Sequence, residues 1–306
     1  MGGPLDHPFN NMLRKLQSST LLERYSTVII FLIPTITIFT LFVVLPVGEA
    51  AYYSVYRWNG FGDPDKYVGL KNYEYLFRND TFLLSLTNNI SIIGISLFAQ
   101  LPFALLLALM IYDKLKGASV FRAIFFVPYV LAEIVTGLIW AYIYDGNYGL
   151  VAAIWGIFGA EAPFIIADPK YAIYSILIVV FWKFFGLHMI IYIAGLQAIS
   201  KEVIEASKMD GAGPFHSAIF IKIPMLLPTI RVSVFLSILG SLQLFDIIMP
   251  LTGGGPSNTT HSMVTYLYYF GVMRMKIGFG SAIGVVIFVI CFTIAFLYQR
   301  TLMRRD

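Results

Sequence analysis

Charge is scarce in this chain. Only 12% of its 306 residues are Asp, Glu, Lys or Arg, about half the ~25% of an ordinary soluble domain. With 58% of the residues hydrophobic, a soluble core could not enclose the apolar surface, which excludes a water-soluble globule. Cysteine is nearly missing. Cys291 stands alone in an apolar run, so an intrachain disulfide and a cysteine metal cluster are both excluded. Four dispersed histidines offer no His-rich metal site, and paired aspartates at matched depth, the sign of an intramembrane enzyme, are missing. No stretch reads G-x-x-x-x-G-K-[ST], so the chain has no phosphate-cradling loop of its own. If ATP drives it, the ATPase is another polypeptide. The net charge of +4 is too small to point to nucleic acid. No low-complexity run, internal repeat or soluble domain is evident.

What is present is a succession of long apolar runs. A helix rises 1.5 Å per residue, so about 20 residues cross the ~30 Å hydrocarbon core of a bilayer. The runs predict six spans, at about 28–56, 82–112, 121–144, 171–196, 225–249 and 281–299. The fold class is therefore all-α integral membrane, with a membrane-spanning domain over 28–299 between tails at 1–27 and 300–306. Val28–Val47 is too long for a signal-peptide core and reads as an uncleaved span. Pro102 and Pro128 interrupt two spans, which neighbouring helices in a bilayer can accommodate. Val151–Phe158 is apolar but short, and reads as an external re-entrant or interfacial piece. Lys and Arg gather beside one set of span ends, at Arg14, Lys15, Arg24, Lys114, Lys116, Lys201, Lys208 and Arg300 among others. The opposite flanks hold fewer, offset by Asp63, Asp65, Glu74 and Asp168. The richer side should face the cytoplasm, placing both termini and the 200–222 segment inside.

That segment is the longest polar interruption in the second half of the chain. Ser200 can cap a first helix whose N-terminal end is complemented by Glu202 and Glu205. Val203, Ala206 and Met209 then form a small apolar face. Gly211 supplies the turn. Gly213 precedes Pro214, which suits the first position of a second helix, with Phe215 and Ile219 on one of its faces. Small Ala206, Ser207, Gly211 and Ala212 permit close approach of another surface, and Pro224 separates this piece from the next span. The bland alternative is a loop that only joins two spans.

The spacing resembles the E-A-A, three residues, Gly, nine residues, I-x-L-P signature of ATP-binding-cassette importer permeases. Glu205, Ala206, Gly211, Ile221 and Pro224 fall on it, and Asp210-Gly211-Ala212 matches its D-G-A centre. Ser207 replaces the third small residue and Ile223 the usual Leu. Tyr67-Val68-Gly69-Leu70-Lys71-Asn72-Tyr73, Ala194-Gly195-Leu196-Gln197-Ala198-Ile199 and Leu251-Thr252-Gly253-Gly254-Gly255-Pro256 are similar to segments of carbohydrate importers of the multiple-sugar, maltose and glycerol-phosphate type. The resemblance covers about residues 28–299. It implies a type I importer permease fold in a bacterial or archaeal cytoplasmic membrane, without catalysis or cofactor in this chain. It implies as partners a second homologous permease, two ATP-binding subunits that hold ATP-Mg, and an extracytoplasmic solute-binding protein. It also implies that Glu205, Ala206, Ser207, Asp210, Gly211, Ala212 and Phe215 form the coupling element seated on an ATPase. The Gly253–Pro256 turn is read as an external loop, either structural alone or touched by a delivery protein.

Polar residues inside the spans are costly, ~2.5–3.5 kcal/mol for a central charge on insertion scales. In 225–249, Ser233, Ser237, Gly240, Gln243 and Asp246 recur on one helical face. In 121–144, Tyr129, Glu133, Thr136, Trp140 and Tyr144 do the same. Aromatic rings beside amides and carboxylates suit a sugar, so Glu133, Trp140, Tyr144, Lys183, Gln243 and Asp246 are the candidate cavity residues. The alternative is polar glue between helices. Lys183 and Glu133 share a depth, which predicts a buried ion pair, or else a lysine that holds an anionic substrate. A proton-coupled secondary transporter working through Glu133 or Asp246 is the competing function.

Overall fold

The computed structural model describes residues 25, 26, 28–64, 66–112 and 117–302. The expected tails lie largely outside the described residues. Two compact units divide at Tyr52/Tyr53. The first holds most of the Val28–Tyr53 helix, 26 residues long. The second holds the rest.

Four helices are long and apolar enough to cross a membrane: Val28–Tyr53, Asp80–Tyr112, Ala172–Gln197 and Ile277–Leu302. Two bent pairs raise the number to as many as six. The first helix stops short of Tyr56 because Tyr56–Arg57 turns into a two-stranded ribbon with Lys66–Tyr67. The stretch 121–144 is not one continuous span. Ala118–Val130 and Glu133–Ile143 meet at 94°. Likewise Pro214–Met225 and Leu227–Leu242 meet at 67°, and a separate short helix, Ile248–Thr252, follows. Leu150–Ile157 is a helix of its own.

Proline explains three local widenings. Wide π turns at Thr40–Val44, Ser96–Gln100 and Ala218–Lys222 each end two residues before Pro46, Pro102 or Pro224. Proline has no N–H and its ring crowds the carbonyl four residues back, so the preceding N–H reaches one residue further. Leu101 N–H accordingly bonds the Ser96 carbonyl.

Three apolar clusters hold the second unit together. One joins Ile92, Ile176, Val180, Leu244 and Ile248. Another packs Ala104 and Ala108 against Met189, Tyr192 and Leu196. The third sets Phe82, Met263, Tyr266 and Ile283 together. Buried asparagines tie the Asp80–Tyr112 helix to the distant 252–266 segment. Asn88 Nδ2 donates to the carbonyls of Thr259 (2.8 Å) and His261 (2.9 Å). Asn89 Nδ2 donates to Ser241 O (2.7 Å), while its Oδ1 accepts from Met263 N–H (2.8 Å).

Candidate functional site

The 200–225 segment is a helical pair. Lys201–Met209 starts at Ser200, whose hydroxyl accepts the Val203 N–H. The Glu202 carboxyl is held below the usual carboxylate range by its own backbone N–H and the Ser200 hydroxyl. Gly211, at φ +83°, makes the turn in the left-handed region, and Ala212 N–H closes it on the Ser207 carbonyl (2.9 Å). Gly213 caps the second helix, with Pro214 in its first turn. The ordering therefore comes from local caps and turn chemistry. Apolar side chains nonetheless project outward: Met209 is 89% exposed, Phe215 79% and Phe220 64%. Glu205, Ala206, Asp210 and Gly211 share the exposed surface, and Ala212 is half-buried. Ser207 is buried, and its hydroxyl bonds the Ile204 carbonyl (2.8 Å). On a helix with one face against the body, Ser207 falls on the inner face.

A second feature is a cavity of about 380 Å³ among the helices. Its polar lining is Glu133, Gln100, Ser96, Ser237, Ser241, His188 and Tyr129; apolar lining comes from Ile92, Val180, Phe184, Leu187 and Leu244. The wide turn before Pro102 carries both Ser96 and Gln100 to its wall. Gln100 Oε1 and Ser237 Oγ are buried with no hydrogen-bond partner among the described residues. Ser96 and Ser241 hydroxyls lie 3.4 Å apart, and His188 Nδ1 is 3.1 Å from Ser233 Oγ.

Only one of the six cavity residues expected from the sequence, Glu133, lines this space. Trp140 and Tyr144 pack on one another and on the apolar cluster around Ile176 and Val180. Gln243 and Asp246 are exposed on this chain, although Asp246 remains within electrostatic reach of Glu133. No Lys183–Glu133 ion pair forms; among the described residues the one salt bridge is Arg78–Glu74. The Lys183 ammonium instead donates to the carbonyls of Pro128 and Tyr129, both at 3.0 Å, and of Leu131. These carbonyls end the Ala118–Val130 helix, where four C=O groups lose their intrahelical partners and the dipole is negative. Lys183 thus pins the 94° break. That break moves Tyr129 off the face of the following helix.

The glycine segment 252–266 turns inward. Thr260, His261, Ser262 and Thr265 are all buried. Ser262 and Thr265 form a reciprocal capping box for the Met263–Tyr266 helix. The Ser262 hydroxyl also donates to Leu244 O (2.6 Å). Burial lowers the His261 imidazole to about 4.

Residues 100–305 match a protein family described as binding-protein-dependent transport system inner membrane component. The chain belongs to that family. The permease is 31% identical over 300 residues to the trehalose/maltose transport system permease protein MalF of Thermococcus litoralis, covering 97% of this chain and 99% of that one. It is 31% identical over 275 residues to the probable ABC transporter permease protein YurN of Bacillus subtilis, covering 89% and 94%. Its fold matches a chain of a bacterial ABC transporter involved in the import of the acidic polysaccharide alginate, at TM-score 0.83 and 21% identity, over 95% and 99% of the two chains. It is a carbohydrate-type ABC importer permease of the type I fold, and a multi-pass membrane protein.

The face patterns do not single out Gln100, Ser96 or Ser241 as wall residues, while His188 is buried and hydrogen-bonded to Ser233. Their polarity inside apolar runs was the available signal. The wide turn before Pro102 was the structural one.

Proposed function

We propose that the permease moves a saccharide or related solute across the cytoplasmic membrane by alternating access, driven by two partner ATPases that bind ATP-Mg. The 200–225 helical pair is the seat of one ATPase, with Glu205, Ala206, Asp210, Gly211, Ala212 and Phe215 at the contact. Ser207, on the inner face, steadies the pair from within. The observation that carries this reading is the outward display of Met209, Phe215 and Phe220 on two helical pieces joined by the Gly211 turn. A large apolar display of that kind is a mark of a partner surface. Closure of the ATPases pushes the pair, and the 67° bend at Leu226 passes the motion to Leu227–Leu242.

The solute occupies the cavity beside Glu133, and exposed Gln243 and Asp246 face a second, homologous permease across the pathway. An extracytoplasmic binding protein delivers the solute, and both termini lie in the cytoplasm. The test is ATP hydrolysis by the reconstituted importer. Gly211→Arg should leave membrane insertion intact and abolish hydrolysis stimulated by binding protein and solute. Normal stimulation and uptake in that variant would remove the reading. Uptake that follows a proton gradient without an ATPase would favour the secondary transporter instead.

A further inference from the structure

The fold leaves the charge of the solute open, since it is shared with an importer of an acidic polysaccharide. The cavity does not. We infer that it admits uncharged saccharides and excludes uronates, phosphates and sulfonates, an inference that rests on the cavity being the solute site.

Glu133 is the acidic group in the wall, and among the described residues no Lys or Arg side chain lines it. The nearest ammonium, that of Lys183, is engaged by three backbone carbonyls and only 1% exposed. It is held by the end of a helix and is not available to a ligand. Asp246 adds a second negative charge within reach of Glu133. His188 has Nδ1 on the Ser233 hydroxyl. Lys183 reaches Glu133 electrostatically, but its ammonium is spent on the three carbonyls, so an anionic sugar entering this space would shed water and find no free counter-charge in the wall, which is the expensive case for a buried ion. That holds whether Glu133 is ionised or protonated.

The remaining wall suits hydroxyls. Gln100 Oε1 can accept a hydroxyl proton, and the Ser237 hydroxyl can both donate and accept. Each is a buried polar group with no partner among the described residues, at 2% and 7% exposure. Such groups are satisfied by a bound ligand or water in the working protein. Phe184 and Leu187 supply apolar surface for the C–H faces of a sugar ring.

The test places a single cysteine in the wall. Ser237→Cys is made with Cys291→Ala, assembled with the partner permease and ATPases in lipid nanodiscs, and alkylated with N-ethylmaleimide. Trehalose, trehalose 6-phosphate and digalacturonate are added separately at equal millimolar concentration. The inference expects trehalose to slow labelling, with the two acidic sugars about a hundredfold less effective, following the penalty for a buried charge. Equal protection by an acidic sugar overturns the charge rule and leaves the cavity as the solute site. No protection by any of the three overturns both. Glu133→Lys adds an independent arm: it should bring trehalose 6-phosphate protection up towards that of trehalose. Unchanged exclusion in the assembled variant would contradict the rule.

Discussion

Two segments of this permease are built from similar residues and behave oppositely. Both 200–225 and 252–266 combine glycine turns, proline and short capped helices between longer apolar elements. The first satisfies its backbone from within and displays large apolar side chains. The second buries Thr260, His261, Ser262 and Thr265; its carbonyls accept from Asn88 and its Met263 N–H donates to Asn89, more than 150 residues away in sequence. One is a projection ordered mainly by local bonds, with Ile204 and Ser207 seated against the body, and the other a sewn-in part of the body. Glycine and proline therefore mark where the chain turns, and the long-range bonds mark what the turn is for.

The sharpest way to test the contrast is one substitution made in both places. At Gly254, φ is +86° and an added Cβ would overlap the His261 ring. Gly254→Ala should cost about 3 kcal/mol or more from strain and overpacking together, read as loss of folded permease in size-exclusion and thermal-melt assays. At Gly211 an added Cβ meets nothing within 4 Å. Gly211→Ala there costs only the backbone strain, about 1 kcal/mol, and the melt should hardly move. Equal losses at the two sites would erase the distinction.

Next in size, Asn88→Ala strands the carbonyls of Thr259 and His261. It should destabilise by about 1–3 kcal/mol, with raised hydrogen exchange concentrated in 252–266. An unchanged exchange pattern would mean that the asparagine bonds do not hold the segment.

The projecting pair should respond differently. Phe215→Ser or Met209→Ser removes an exposed side chain, so the thermal midpoint of the isolated permease should stay put. Affinity for the ATPase subunit should fall about tenfold, as for a central apolar anchor. A destabilised permease with undiminished ATPase binding would reverse the assignment.

The last contrast is a pH dependence that begins at higher pH in the inward segment. His261 is held near 4, below its ordinary 6.5, so the unfolded segment binds the proton more readily. Its stability contribution is complete above about pH 6.5 and falls as pH drops towards 4, because ν_U exceeds ν_N in that window. Relative to the intrinsic exchange rate, exchange in 252–266 should speed up as pH falls from about 6.5 to about 5, a range in which 200–225, whose lowered Glu202 carboxyl titrates further down, stays level. Acceleration towards higher pH, beyond the intrinsic exchange rate, would have the wrong sign.

These differences also decide what could be read from the chain alone. The 200–225 pair is written in neighbours: Ser200 caps, Gly211 turns, and Gly213-Pro214 restarts the helix, all within a few residues. Spacing does not say which face meets the body, and the structure turns Ser207 inward while Glu205, Ala206 and Asp210 stay exposed. Trp140 and Tyr144 were placed on the same face as Glu133, yet the face pattern could not tell a cavity from the Ile176 and Val180 cluster. The break at Leu131-Ala132 depends on Lys183, over fifty residues later in the sequence. Matched depth suggested a carboxylate partner for that lysine, and helix-end carbonyls took it instead. The asparagine bonds join partners too distant for any local pattern to connect.

The central claim is that the projecting helical pair is gripped by an ATP-hydrolysing subunit. Met209→Cys, made with Cys291→Ala in the assembled importer, offers a single thiol at the most exposed apolar position of the pair. A short bifunctional reagent should join it to the ATPase subunit, in a yield that changes between nucleotide-free and ATP-trapped states. A thiol that instead reacts with an impermeant reagent added outside the cell, or that never joins to the ATPase in either state, would contradict the account.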